Sequence, residues 1–303
     1  HRQRIQARSN GVKVAVTGAN GFIGKHVVKA LFEAGHDVVG LDLLPPGTHP
    51  AYLHDVDITG AIDPLPGLDA VIHLAARSHP RQCDEDPVRA YDVNVQGTSR
   101  VLQFARKSGA RKVVFSSSAH VYNIPPLYLP TDESHPLRLN NTYTTTKLLW
   151  EQLCDLYWTN HGLSYTVLRL FNVYGKGQAR GYFLPDMIAK AEQGEINLSG
   201  ANTTKDWVYC EDVARAFVLA LGTSYIGALN IGTGVETELV RIAERIAWEY
   251  QVPLVAHADD GATRMCADRK RAGNVLGWTP AVNIWEGLGV ILDAAKAKEP
   301  VRS

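Results

Sequence analysis

Cysteine is scarce in this chain, and what little there is excludes two ways of holding a fold together. The four thiols, Cys83, Cys154, Cys210 and Cys266, stand far apart among 303 residues and form no CxxC or zinc-ligand spacing. They are read as reduced thiols of a cytoplasmic protein, not as a disulfide framework. A charge of one sign is also missing, since Lys+Arg and Asp+Glu balance at 31 each. No bulk field then draws the chain to nucleic acid or to an anionic membrane, and a phosphate-bearing ligand must be held by local groups. No apolar run approaches the roughly eighteen residues of a membrane span. The opening HRQRIQARSN has no initiator methionine and no apolar core of a signal peptide, so residues 1–11 are read as a flexible arm or an expression remnant outside the fold. Internal repeats and low-complexity tracts are absent as well. A chain that is 45% hydrophobic and 20% charged remains, enough for one substantial core and a smaller lobe.

The most informative stretch lies near the start, where V-K-V-A-V-T-G-A-N-G-F-I-G runs from Val12 to Gly24. Val12, Val14 and Val16 mark a buried strand, Gly18, Gly21 and Gly24 a tight turn, and Val27, Val28, Leu31 and Phe32 a helix. Glycines let the backbone approach a bound group closely, and the helix that follows points free N–H groups at the same place, which suits a pyrophosphate. The spacing is GxxGxxG, not the GxGxxG of the usual dinucleotide fingerprint; alone it also fits a helix-packing turn. A second apolar strand, Val38 to Asp42, ends in an acid at about the offset expected of a carboxylate on ribose hydroxyls. Asp42 also suits an ordinary turn, but as a ribose ligand it would repel a 2′-phosphate and select NAD over NADP.

Further along, strands and helices alternate. After a loop marked by Pro45, Pro46, Gly47 and Pro50, residues 51–58 read as a short strand ending at a second acid, Asp57. Val71 to Ala76 reads as a buried strand, Pro87 to Ser108 as a long helix closed by Gly109, and Val113 to Ser116 as the next strand. A helix over residues 142–161 and a strand from Tyr165 to Phe171 follow. The alternation predicts an α/β fold, a doubly wound parallel sheet. From about residue 175 the elements shorten, which predicts a smaller C-terminal lobe over 175–303 built from Tyr182 to Gln193, Leu239 to Tyr250 and Ile284 to Ala295. Residues 12–174 form the expected dinucleotide domain, with 206–235 returning to it through Asp212 to Leu221 and the strand Ala228 to Ile231.

Tyr143 and Lys147 stand four apart in Y-T-T-T-K on a helical segment and so share a face. An ammonium beside a phenol favours the phenolate, which makes Tyr143 a candidate general base with a lowered pKa. Any helix can carry such a pair by chance. Ser116, Ser117 and Ser118, however, end a strand of the sheet, where ligands of doubly wound folds bind, and a hydroxyl there can share a proton with Tyr143.

These residues occur in an ordered set. TGANGFIG (Thr17 to Gly24), Asp42, Asp57, HLAA (His73 to Ala76), Asn94 to Thr98, Ser116 to Ser118 with Val121-Tyr122, Tyr143/Lys147 and LRLFNVYG (Leu168 to Gly175) follow one another. KDWVY (Lys205 to Tyr209), EDVA (Glu211 to Ala214), NIGTG (Asn230 to Gly234) and LGWTP (Leu276 to Pro280) continue the series. The chain resembles, over about residues 12–296, the extended short-chain dehydrogenase/reductases of the NAD-dependent nucleotide-sugar epimerase/dehydratase type. The resemblance implies that the loop Gly18, Asn20, Gly21, Phe22, Ile23 and Gly24 holds the NAD pyrophosphate, that Asp42 takes the adenosine ribose, and that Asp57 with Ile58 approaches the adenine. Leu74, Ala75, Ala76, Asn94 and Ser116 complete the implied cofactor contacts. Tyr143 is the implied base, Lys147 the ligand of the nicotinamide ribose, and Ser118 the partner of the reacting oxygen. The implied reaction is 4-epimerisation of a nucleoside diphosphate sugar through a transient 4-keto sugar.

Departures from the family pattern refine that expectation. Dehydratases carry Asp-Glu directly after the Ser118 position, and here the pair is Ala119-His120. His120 either fills space at the strand end or handles a second proton, as a decarboxylase or dehydratase would need. The substrate side is expected to use Asn172, Lys205 in place of the family's arginine, and Arg264 as a substitute for a missing second arginine, with Arg180 a weaker, solvated candidate. Tyr122-Asn123 replaces the commoner Tyr-Gly. A regulator that senses NAD without turnover is the remaining alternative, and a homodimer through the helices near 88–108 and 142–161 is expected from relatives.

Overall fold

The computed structural model describes residues 11–43, 50 and 52–297. The expected arm, the Pro45-Pro46-Gly47 loop and Ala51 lie outside these, apart from Gly11. Twelve strands occur among the described residues: β1 (Lys13–Thr17), β2 (Asp37–Asp42), β3 (Leu53–Asp55), β4 (Ala70–His73), β5 (Lys112–Ser118), β6 (Ser164–Leu170), β7 (Asn172–Tyr174), β8 (Ile196–Ser199), β9 (Thr204–Tyr209), β10 (Gly227–Ile231), β11 (Glu236–Glu238) and β12 (Leu254–His257). The helices are α1 (Phe22–Glu33), α2 (Pro80–Glu85), α3 (Pro87–Tyr91), α4 (Gly97–Ser108), α5 (Thr142–His161), α6 (Phe183–Glu192), α7 (Cys210–Leu221), α8 (Leu239–Tyr250), α9 (Lys270–Leu276) and α10 (Ile284–Lys296).

Seven strands form one parallel sheet in the order β10-β6-β5-β4-β1-β2-β3. The central strands are apolar and covered on both faces, as parallel sheets require: Val14, Ala15, Val16, Val71, Ile72, Val113 and Val114 are fully buried. One face packs against α1 and α7 through Leu31, Val213 and Phe217, and the other against α4 and α5 through Leu102, Phe104 and Trp150. Burying each such side chain contributes about 1.5–3 kcal/mol. This is the doubly wound, Rossmann-like α/β fold that the alternating pattern predicts.

Two local readings need correction. The long helix over 87–108 is interrupted by a π-helical turn, Asp92–Gln96, between α3 and α4. The strand expected to reach Asp57 stops at Asp55, because the Asp57 carboxylate accepts from the N–H and the hydroxyl of Thr59 and turns the chain.

A smaller core is built from α6, α8 and α10 around β8 and β9, with Leu184, Ile196, Ile246 and Leu288 buried in it. Its strands pair as β11-β9-β7 and β12-β8. Chain between the two cores crosses back more than once: α7 packs on α1, and β10 pairs in register with β6 at the edge of the main sheet. Asp212, buried on α7, accepts from the N–H groups of Ala281 and Val282, while the Trp278 indole donates to its carbonyl at 2.9 Å. These bonds tie α7 to the approach of α10. All four cysteines are unpaired and buried.

Candidate active site

The carboxyl ends of the sheet strands open into one cleft of about 910 Å³. At one end lies the β1-to-α1 turn. Gly18 has φ +70°, and a Cβ there would stand 2.7 Å from the Ala75 nitrogen; a Cβ on Gly24 would stand 2.0 Å from the Gly18 oxygen. Helix α1 starts at Gly21 with no side-chain cap and no acid in its first turn. Its first N–H groups are therefore left to an anion, and the dipole favours one. Asp42, at the end of β2, is tied to this turn: its Oδ2 accepts from Asn20 N–H at 2.7 Å and its Oδ1 from Leu43 N–H at 2.8 Å. Gly18, Asn20, Gly21, Phe22, Ile23, Gly24, Asp42, Asp57, Ile58, Leu74, Ala75, Ala76 and Ser116 all line the cleft. An uncapped helix start, glycines where a Cβ would not fit, and an acid tied to the same turn fit a dinucleotide.

Asn94 does not join them. It is fully buried, its Oδ1 accepts from Arg77 N–H at 2.8 Å, and its Nδ2 donates to Arg77 oxygen and to Thr146 Oγ1. With these bonds it staples the loop after β4 to α5.

At the other end of the cleft, helix α5 is started by an Asn141–Thr144 capping box. It presents Tyr143 and Lys147 to the end of β5. The Tyr143 phenol faces the Ser118 hydroxyl, which works to lower its pKa. Lys147, 2% exposed, donates to the Ser116 carbonyl at 2.8 Å. Burial raises the Tyr143 pKa, against the Ser118 hydroxyl, so the expected lowering of the phenol is absent from the protein alone; desolvation outweighs the polar contacts. The same burial pulls Lys147 down to about 7.

Ser118 also caps the short turn Ala119–Val121, accepting from His120 N–H at 3.2 Å. Ala119 turns away from the cleft and packs with Tyr122 and Phe171, whereas His120 lines it. Burial, with Lys205 adding, lowers His120 to about 4, so its imidazole is neutral at neutral pH. The strand-end serines are braced from below. Ser117 donates to Glu151 Oε1 at 2.7 Å, and Arg169 on β6 binds both Glu151 oxygens, at 3.0 and 2.6 Å. Arg169 also donates to the Tyr122 hydroxyl, which donates to Asn230 Oδ1 at 2.5 Å.

Residues 14–232 match the NAD dependent epimerase/dehydratase family. This chain belongs to that family. Its cofactor is NAD. Among relatives of this family member, the UDP-glucose 4-epimerase of Mycolicibacterium smegmatis is 32% identical, covering 95% of this chain and 99% of its own. The UDP-glucuronic acid decarboxylase 6 of Arabidopsis thaliana is 29% identical over 92% and 87% of the two chains. MoeE5, solved in complex with UDP-glucose and NAD, superposes with a TM-score of 0.85 at 28% identity, covering 94% of this chain and 99% of its own.

The substrate end of this epimerase/dehydratase-family site agrees less fully with expectation. Asn172 lines the cleft, and its Nδ2 donates to the Asp206 carbonyl at 3.3 Å. Lys205 is not on the cleft wall; its ammonium lies 3.4 Å from the Met265 sulfur, close enough to His120 to lower its pKa. Arg264 is not brought to the site: it is exposed and forks onto the Glu236 carboxylate. Arg180 is exposed and paired with Asp186. Cleft residues that the motifs did not single out are His79, Tyr182, Phe183 and Trp207. His79 reaches across to the Gly181 carbonyl at 3.2 Å, and Ser78 to the Tyr182 hydroxyl at 3.3 Å. Contacts about a hundred residues apart leave no local pattern, whereas Trp207, inside KDWVY, could have been found as an apolar wall next to Lys205.

Proposed function

We propose that this enzyme epimerises a nucleoside diphosphate sugar at C4, with Tyr143 as the base. The observation that carries the reading is that Ser118, Tyr143 and buried Lys147 line the same cleft as the uncapped start of α1. NAD, held by the turn Gly18 to Gly24 and by Asp42, would accept the C4 hydride and later give it back, and its positive charge would favour ionisation of the buried phenol. Tyr143 then takes the proton from the sugar 4-hydroxyl while Ser118 holds the oxygen in line. Lys147, anchored by one N–H to Ser116, keeps its other N–H groups for a ribose and holds positive charge near the phenol. After the 4-keto sugar has turned over, Tyr143 returns the proton to the oxygen as the hydride would return to the other face of C4, so the cycle closes with no net redox change.

The reading assigns NAD to residues 12–174 with 206–235, and the sugar nucleotide mainly to 175–303, with Asn172 at the border as the candidate phosphate contact and Lys205, behind the cleft wall, adding positive charge near His120. The relatives support it, since UDP-glucose 4-epimerases are among them. A partner chain is proposed too: Leu149 and Leu156, seven residues apart on one face of α5, are exposed, which suits a homodimer and is testable by sedimentation.

A second reading, decarboxylation or elimination with His120 as the extra acid or base, is favoured by the place of His120 on the cleft wall and by the decarboxylase relatives. A neutral imidazole accepts a proton more readily than it donates one, and Ala119 supplies no acid, so we rank it second. His120→Ala separates the two. Unchanged turnover of the true substrate leaves His120 a space-filling or sugar-binding group; loss of turnover with NAD still bound makes it a proton carrier. The Tyr143/Lys147/Ser118 set speaks against an NAD sensor, which needs no polarised phenol. Tyr143→Phe discriminates: an enzyme loses the transient change in nicotinamide absorbance on adding substrate, and a sensor is indifferent.

A further inference from the structure

Lys147 is a buried cation without an anionic partner. Its ammonium donates to the Ser116 carbonyl and forms no ion pair among the described residues. The carboxylate one turn along α5, Glu151, is bound by Arg169 and Ser117. What the ammonium does face is the Trp150 indole, three residues on along the same helix, with the nitrogen 3.7 Å from the ring centroid. The Tyr143 ring is farther, at 5.7 Å.

Trp150 is in turn held rigidly. It is 1% exposed, stacked on His73 with centroids 4.5 Å apart and planes 18° apart, and it meets Phe115 edge-on at 6.3 Å. The hydrogen bonds of His73 fix its state. Thr98 donates its hydroxyl proton to the Asn94 carbonyl at 2.6 Å, so it must accept from His73 Nε2–H, 2.9 Å away. Nδ1 is then left to accept from the Thr17 hydroxyl at 2.6 Å. The imidazole is neutral, with its proton on Nε2, and burial together with Lys147 holds its pKa down at about 3.

We propose that Trp150 is a positioning residue for Lys147: its indole face, clamped by His73 and Phe115, replaces a carboxylate counterion and keeps the ammonium charged and aimed. A carboxylate at that place would cancel the charge that Tyr143 needs. The electron-rich face of a ring attracts the cation without cancelling it. The other groups around the ammonium fit this role. Tyr143 and Glu151 face it from α5, Cys83 from α2, His73 from β4 and the Ser116 carbonyl from β5. Cys83 is kept as a thiol by burial and donates to the Arg77 carbonyl, His73 is neutral, and Glu151, paired with Arg169, acts on the ammonium only from a turn away.

The inference rests on the reading that Lys147 works as an ammonium beside Tyr143, but its primary test needs no substrate. Lysine labelled with ¹³C at Cε is incorporated, Lys147 is assigned through Lys147→Arg, and its titration is followed by NMR. Growth on 5-fluorotryptophan lowers the electron density of all six indoles while nearly preserving their shape, so folding is not at issue. The Lys147 midpoint is expected to fall by roughly half a pH unit in the fluorinated wild type and by about one unit in Trp150→Leu, with Trp150→Phe between. Fluorination of the Trp150→Phe protein is expected to change nothing. The alkaline limb of kcat/KM on a UDP-sugar moves down in parallel; a purely packing role would lower melting temperature and leave that limb in place. A midpoint unmoved by fluorination, or moved equally in the Trp150→Phe background, would overturn the proposal. If the NMR shift occurs but no sugar nucleotide turns over, the proposed reaction fails and the positioning role stands.

Discussion

Replacing Glu151 by alanine should damage this enzyme out of proportion to the size of the change. Glu151 sits one turn beyond Lys147 and two beyond Tyr143 on α5, and its carboxylate receives two N–H groups of Arg169 and the Ser117 hydroxyl. The Arg169 side chain is 6% exposed and that of Glu151 11%. Truncation strands a guanidinium and a serine hydroxyl where water cannot replace the lost partner. Breaking such a buried pair costs about 3–5 kcal/mol, a large part of the roughly 5–15 kcal/mol that holds a typical fold. Urea unfolding followed by circular dichroism is expected to show that loss, with a fall in melting temperature of roughly 6–12 °C. Because α5 is thereby untied from β5 and β6, kcat should fall more than KM rises. The double variant Glu151→Leu/Arg169→Met, which removes both charges, is expected to recover much of the stability. A single variant within about 1 kcal/mol of wild type, or a double variant less stable than the single, would refute the reasoning.

Three further outcomes follow from the same geometry. Gly24→Ala places a Cβ 2.0 Å from the Gly18 oxygen, so the pyrophosphate turn must open; protein purified from it should release no NAD on denaturation, as read by chromatography. Asp42→Ala leaves the Asn20 and Leu43 N–H groups without their acceptor; NAD affinity by calorimetry should fall by about tenfold or more, and the preference over NADP should narrow. His73 is held neutral by burial, with a folded pKa of about 3 against a usual value of 6.5. The unfolded chain therefore takes the proton first, and stability present above pH 6.5 is lost as pH falls, by about 2 kcal/mol between 6.5 and 5 from this group alone. Urea midpoints at the two pH values should show the slope, and His73→Gln should flatten its share of it.

The parts of the site that were legible from sequence are those made by neighbours in the chain. The turn Gly18 to Gly24 announces itself because strand, glycines and helix are contiguous, and Asp42 because the next strand ends there. Tyr143 and Lys147 are one helical turn apart, so periodicity alone puts them on one face. The protein partners of Asn94, the Arg77 backbone and Thr146, could not be read locally, because they lie 17 and 52 residues away. Arg264 misled because its charge suits a phosphate, but Glu236 claims it from 28 residues away. Arg169 inside the apolar run of β6 was a readable hint, since a charge buried in a parallel strand needs a partner, although nothing in the run itself names Glu151. The phenol pKa is raised in the protein alone, because the burial that sets Tyr143 beside Ser118 also removes it from water.

The central claim is that Tyr143, Ser118 and Lys147 carry a reversible oxidation that ends in inversion at C4. The most direct measurement is proton NMR of UDP-galactose, or another UDP-sugar recovered with the protein, incubated with purified enzyme and no added cofactor. The expected result is the C4 epimer at equilibrium, without carbon dioxide and without net NADH, and no conversion by Tyr143→Phe that still holds NAD. Accumulation of NADH, release of carbon dioxide, or full turnover by Tyr143→Phe would contradict it.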